Sequence, residues 1–358
     1  MQNKLAHKEK KLSLFKKINH KILFLFRLNH HPVVRVYRGY GNFEKIIVFG
    51  HVLKLSPMPR KTYRRNWIVN FFSMLRLFMV KPFVRAKVSM EWNGTTHEAQ
   101  TEDDGFFKFE WAPETKLESG WHVVTVFLKE EKYKRQHISG KGQVYIPYAS
   151  EHAFISDIDD TFLISYSSRL RKRLYVLFTK NARSRKPFQG VVNHYRQLTK
   201  SGQGDRSFNP FFYVSSSEWN LYNFILEFSR ENDLPKGVFL LNQIKRISEV
   251  FKTGQNKHSG KFTRIVRIIE TYPHLQFILM GDDTQEDPNI YLGIAEHFPK
   301  NIFAVYIRRV HKNKYESVQV VADKIISSGV HCCYFQHSAE AIEHSKVIGL
   351  ISEKFSSP

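Results

Sequence analysis

The stretch Ala153-Phe154-Ile155-Ser156-Asp157-Ile158-Asp159-Asp160-Thr161 limits what this chain can fold into. A short apolar run bounded by polar residues reads as a buried strand. Its acids sit where that strand ends, and open α/β sheets bind ligands outside the carboxyl ends of their strands. Carboxylates this close raise one another's pKa unless a cation neutralises them. A hard divalent cation with oxygen ligands, Mg²⁺, resolves that conflict. Asp-x-Asp-x-Thr also suits phosphoryl transfer through a carboxylate. The first acid can attack phosphorus, and the second can protonate the leaving oxygen and then activate water. An acidic turn closing a strand is the competing explanation. Partner groups downstream must decide between them.

The pattern from residue 150 onward is strands alternating with helices, an α/β layout. Strands are expected near 153–156, 210–214, 237–241, 275–280 and 302–307. Helices are expected near 166–178, 187–200, 218–231, 261–272 and 287–298. The partner groups appear at strand ends and helix starts. Phe211-Phe212-Tyr213-Val214 runs into Ser215-Ser216-Ser217, where hydroxyls and helix N–H groups can hold a phosphate oxygen. Ser217 can equally cap the next helix. Lys261 is expected to open a helix after the loop 252–260, where an ammonium can offset phosphate and nucleophile charge. Lys257 competes for that role. Leu275-Gln276-Phe277-Ile278-Leu279-Met280 ends in Gly281-Asp282-Asp283 and then Asp287, acids that can complete a magnesium site beside Asp157. The alternative for these acids is again a turn plus an N-cap.

Residues 32–149 read differently. Runs at 32–37, 45–53, 84–90, 106–111, 121–127 and 142–147 are short strands separated by turns, the pattern of a β-sandwich. Thr101-Glu102-Asp103-Asp104-Gly105 reads as a turn with glycine supplying the positive φ. An amphipathic helical insertion is expected near 57–81. Residues 1–31 place Leu14, Phe15, Ile18, Ile22, Leu25 and Phe26 at helical spacing among lysines. That segment reads either as an interfacial helix on an anionic membrane or as a helix docked on the next domain.

With 358 residues, two domains are favoured over one. A formal charge of +22 argues for an anionic partner: nucleic acid, an anionic lipid surface or a phosphorylated substrate. Nothing in the sequence resembles a nucleic-acid module. The two cysteines, Cys332 and Cys333, are adjacent and cannot staple a domain, which points to a reducing, cytoplasmic compartment. They are expected to be buried small hydrophobes. No stretch is long and uncharged enough to span a bilayer.

The order Asp-x-Asp-x-Thr, Ser, Lys, Gly-Asp-x-x-x-x-Asp resembles the haloacid-dehalogenase-like phosphatases. More narrowly, the chain resembles the actin-patch-associated phosphatidate phosphatase family and its bacterial members. The closer likeness rests on Ile155–Thr161, Asn181–Phe188, Asn209–Ser217 with Trp219-Asn220-Leu221-Tyr222, and Gly281-Asp282 through Asp287-Pro288 and Tyr291. Tyr37–Gly41 and the Thr101–Phe107 turn resemble the β-rich region preceding the catalytic domain in bacterial members. The resemblance runs from about residue 33 to 310. It implies a Rossmann-like domain over 150–358, preceded by the β-sandwich.

By resemblance, Asp157 is the nucleophile, Asp159 the general acid/base, and Ser215 and Lys261 hold the phosphate. Mg²⁺ is then held by the Asp157 carboxylate, the Asp159 main-chain carbonyl and Asp282, with Asp287 in support. The implied substrate is phosphatidate, reached by an enzyme peripherally associated with a membrane in the cytoplasm. The chain departs from the family at Asp283-Thr284 (often Ser-Gly), at Glu218 (often Pro) and at Gly260 (commonly His). A phosphatase for another phosphomonoester, or a catalytically silent membrane adaptor, is the alternative.

Overall fold

The computed structural model describes residues 28–29, 31–57, 75–115, 117–158, 187–202, 208–244 and 257–351. Nearly all of the N-terminal basic segment, most of the expected 57–81 helix, the expected 166–178 helix and Asp159 lie outside the described residues.

The first ten strands form one hydrogen-bonded network, and all but one of its pairings are antiparallel. They are β1 (Leu28–Asn29), β2 (Val33–Val36), β3 (Arg38–Gly41), β4 (Ile46–Pro57), β5 (Lys81–Pro82), β6 (Lys87–Trp92), β7 (Thr95–Gln100), β8 (Phe106–Trp111), β9 (Gly120–Leu128) and β10 (Ser139–Ile146). β4 is the spine. β8 runs along one edge, with Ile46 opposite Trp111, and β2 and β3 lie on the other. The single parallel pairing joins β10 to β3. The sheet curls until its ends approach: the His97 and Trp111 rings are 4.6 Å apart, and Trp92 meets Trp111 at 5.7 Å. Inward valines, Phe107, Phe109 and Met90 fill the space enclosed. Gly105 takes φ +81°, as its turn requires.

The second sheet is wholly parallel. Its strands are β11 (His152–Asp157), β12 (Phe211–Glu218), β13 (Val238–Asn242), β14 (Gln276–Asp282), β15 (Ile302–Arg308) and β16 (His331–Phe335), in the order β13-β12-β11-β14-β15-β16. Helices α1 (Val191–Lys200), α2 (Tyr222–Glu231), α3 (Lys257–Thr271), α4 (Asp287–His297), α5 (Tyr315–Ser327) and α6 (Ser338–Val347) accompany it. Strands covered on both faces read as near-continuous apolar runs, and β12 is buried at every position. α1 and α3 turn apolar stripes inward, Val191, Tyr195 and Leu198 from the one and Ile265, Ile268 and Ile269 from the other. Chain order reverses at β11, so a crevice opens beyond the ends of β11 and β14.

The two sheets share a core. Tyr37 stacks on Trp219 with centroids 4.1 Å apart. The Arg38 amide donates to the Tyr222 hydroxyl (3.1 Å) and its guanidinium to the Gly237 carbonyl (2.9 Å). Tyr272 donates to the Gly41 carbonyl (3.1 Å), and Asn42 to that of Thr271 (2.6 Å).

The far side of the parallel sheet carries a buried polar network that predicts an acid response. His194 lies 2.9 Å from the Ser345 hydroxyl, and Ser345 lies 2.7 Å from that of Tyr306. Burial, with Arg308 and His344 nearby, pushes the imidazole down to about 3. The unfolded chain takes up this proton near pH 6.5 and the folded chain does not. The contribution is therefore complete above pH 6.5 and is lost as pH falls towards 3, at up to about 1.4 kcal/mol per unit. Thermal melts between pH 7 and 5 should show that slope, and His194→Gln should flatten it.

Candidate active site

Asp157 closes β11 and Asp282 closes β14, both fully buried. Ser156 pairs with Met280 and Asp157 with Val214. Asp157 is thus flanked by Ser215 on one side and Asp282 on the other, each one residue beyond its level. Strand spacing and rise then put each of those Cα atoms about 6 Å from that of Asp157. Both Asp157 and Asp282 act electrostatically on the buried hydroxyls of Tyr195 and Tyr291, consistent with that proximity.

Lys261 reaches this edge from α3. Its Nζ donates to Asp157 Oδ1 at 2.7 Å and also contacts Asp287 Oδ1. The three side chains are at most 2% exposed. Burial works against the Lys261 ammonium, but the Asp157 and Asp287 carboxylates outweigh it and hold its pKa above the usual lysine range. Lys261 does not open its helix as the sequence suggested. The helix is already formed at Lys257, so Lys261 stands at least one turn in, with its side chain directed at the strand ends. Asp287 is the first residue of α4, where the helix dipole favours a carboxylate.

Gly281 makes room for this arrangement. A Cβ there would lie 2.6 Å from Asp287 Oδ2 and 2.7 Å from the Tyr291 hydroxyl, which donates to the Met280 carbonyl. Gly281→Ala should therefore cost about 1–3 kcal/mol by overpacking. It should also displace Asp287 from Lys261, visible as a lowered urea midpoint together with reduced turnover.

Ser215 is buried, and its hydroxyl accepts the Ser217 amide at 2.8 Å. The Arg264 guanidinium donates to the Ser215 carbonyl at 3.2 Å. Ser217 does not cap a helix: β12 continues through Glu218 with an irregular register, and α2 starts only at Tyr222. Asp283 is turned out of the cluster. It accepts the Val310 and His311 amides at 2.9 and 3.1 Å and the Tyr334 hydroxyl at 2.9 Å, tying the loop after β15 to the loop after β14.

Asp282 accepts the Thr284 amide and hydroxyl at 2.7 and 2.6 Å and stands level with Arg308 of β15. That arginine was not anticipated. Its guanidinium lies 4.8 Å from the rings of both Phe188 and Phe335 and donates to Ser338 Oγ at 2.7 Å. The available signal was a cation ending the apolar run Ile302–Ile307.

Of the expected residues, Asp157, Lys261, Asp282, Asp287 and Ser215 thus lie at one edge, while Asp159 and the Lys257 side chain lie outside the described residues. Among the described residues no three acidic, histidine or cysteine side chains form a complete metal cage. The donors that are placed are chemically suited to a hard cation. Asp157 and Asp282 are oxygen donors on adjacent strand ends, and the cluster holds three carboxylates against one lysine ammonium.

Residues 152–309 match the family model described as phosphatidate phosphatase APP1, catalytic domain. This segment is similar to the APP1 catalytic-domain family. Phosphatidate phosphatase APP1 of Saccharomyces cerevisiae (strain ATCC 204508 / S288c) is 29% identical over 155 residues. The match covers 43% of this chain and 25% of the yeast protein. The chain thus spans a quarter of that relative's length. The APP1-type segment begins at β11 and ends just after β15, so it contains every placed residue of the cluster. A carbohydrate acetylesterase from Xanthomonas citri aligns over 82% of this chain and 74% of its own, with 10% identity and a TM-score of 0.27. A β-glucuronidase from Ruminococcus gnavus aligns over 79% and 44%, with 9% identity and a TM-score of 0.22.

Proposed function

We propose that this protein is a Mg²⁺-dependent phosphatidate phosphatase, releasing diacylglycerol and phosphate through an aspartyl-phosphate. The observation that carries the reading is the buried Lys261 bridging Asp157 and Asp287, between Ser215 and Asp282, inside a segment similar to the APP1 family. In this reading the segment from 150 is a haloacid-dehalogenase-like domain and the curled sheet before it a β-sandwich domain.

The Lys261 ammonium keeps Asp157 ionised and orients its carboxylate as a nucleophile. Asp157 attacks phosphorus while Asp159 gives a proton to the departing glyceryl oxygen. Asp159 then takes a proton from water, which cleaves the acyl phosphate and restores Asp157. Ser215 and Lys261 stabilise charge on the phosphoryl oxygens. The Asp157 and Asp282 carboxylates and the Asp159 carbonyl would hold Mg²⁺, with Asp287 supporting. When bound, the ion supplies neutralisation of phosphoryl charge.

The +22 charge favours an anionic lipid surface. No helix among the described residues is long and apolar enough to cross a membrane, and we place the protein peripherally on a membrane in the cytoplasm. Cys332 and Cys333 are free. They are half-buried rather than fully buried, and burial pushes both thiols up to about 12, which suits inert side chains.

Phosphate release from vesicles containing phosphatidate tests the reading. Release should need Mg²⁺ and stop on adding a chelator, and phosphatidylcholine vesicles should release none. Equal rates with and without chelator would contradict the proposed cofactor, and no release from phosphatidate would contradict the substrate.

A further inference from the structure

A second concave site lies in the seam between the sheets. It is a cleft of about 540 Å³, within the usual range for small-ligand pockets and at the kind of junction where they occur. Phe49 and Phe106 of the curled sheet and Trp219, in the short turn just after β12, supply apolar walls. Several charged groups at its rim are already engaged. Lys45 and Lys108 both bridge Glu110 at 2.6 Å. Asp104 accepts the Phe106 amide at 2.9 Å and stands 3.7 Å from His51 Nε2.

Three other lining residues differ. The side chains of Glu102, Arg267 and Glu270 make no hydrogen bond or ion pair among the described residues. Arg267 and Glu270 are one helical turn apart on α3, close enough to meet, yet they do not pair. Arg264, one turn before Arg267, also lines the cleft and holds the Ser215 carbonyl. The cleft therefore offers guanidinium donors, carboxylate acceptors and aromatic faces to the same volume.

That combination has a chemical complement. Guanidinium groups bind phosphate oxygens with charge-assisted hydrogen bonds. Carboxylates accept hydrogen bonds from hydroxyls. Aromatic rings cover the C–H face of a polyol. We propose that the cleft between the two sheets binds a phosphorylated polyol, its phosphate on Arg267 and its hydroxyls on Glu102 and Glu270. The polyol phosphate is either free in solution or the headgroup of a glycerophospholipid. The site does not require turnover at Asp157.

The test is calorimetric titration of the full chain carrying Asp157→Asn, which prevents turnover, with glycerol phosphate, inorganic phosphate and glycerol. Wild type with chelator serves if that variant is unstable. Glycerol phosphate should bind more tightly than inorganic phosphate, and glycerol should not bind measurably. Arg267→Gln and Glu270→Gln should each weaken glycerol phosphate by about tenfold or more, the scale of one charge-assisted hydrogen bond. Inorganic phosphate, lacking the alcohol hydroxyls of the polyol, should lose less on Glu270→Gln than glycerol phosphate does. Both residues are exposed on α3, so both variants should keep the wild-type melting temperature.

A parallel arm uses phosphatidylglycerol vesicles against phosphatidylcholine vesicles. Binding of only the vesicles, with the same sensitivity to Arg267 and Glu270, identifies the lipid headgroup as the source. Affinities unchanged in both variants, or no binding of either probe, would overturn the site.

Discussion

Replacing Asp157 with Asn is expected to reduce phosphate release from phosphatidate by about 10⁴-fold or more, the scale seen when an enzymatic nucleophile is removed. The amide matches the carboxylate in shape but is a far weaker nucleophile. It also forfeits the charge that pairs with Lys261. The variant should still fold, because Lys261 retains Asp287 as a partner. Matched circular dichroism spectra with turnover lost would place the defect in chemistry. Turnover within a few-fold of wild type would remove Asp157 from the nucleophilic role.

Lys261→Met is expected to act more broadly. It deletes the cation and leaves Asp157 and Asp287 buried beside Asp282. Breaking a buried ion pair by removing one partner typically costs about 3–5 kcal/mol. The orphaned carboxylates can lower that cost only by binding protons, so their pKa values rise in the variant. A carboxylate with a raised folded pKa holds its proton better when folded. The loss relative to wild type should then be largest at neutral pH and shrink as the pH falls towards 5. Urea titrations at pH 7 and pH 5 read this directly. Equal losses at both would show that the carboxylates do not feel the missing charge.

Much of the parallel sheet was legible because its strands are apolar at nearly every position. Ala153–Ser156, Phe211–Val214 and Leu275–Met280 need no tertiary information to read as buried. The residues ending those runs were legible for the same reason, and they form the cluster. Positions that depend on where a helix begins were harder. The polar, glycine-containing segment before Lys261 hides a helix that is already formed at Lys257. Ser217 looks like a cap until the bulged end of β12 is seen to carry it inside a strand.

Elements without apolar continuity escaped. β7, Thr95–Gln100, has no fully buried position. After Val310, α5, β16 and α6 follow a sequence whose strand, His331–Phe335, lies at the sheet edge and is mostly only half-buried. Contacts between distant backbone groups left no trace either. Asp283 is explained by amides 27 and 28 residues away, and Tyr37 finds Trp219 across the seam.

The most direct measurement is to quench turnover of phosphatidate, labelled in its phosphate, with acid and to map the label on the chain. The account predicts an acid-stable, base-labile phosphate on the peptide containing Asp157, absent from Asp157→Asn. Full turnover with no label trapped, or label on a peptide lacking Asp157, would contradict it.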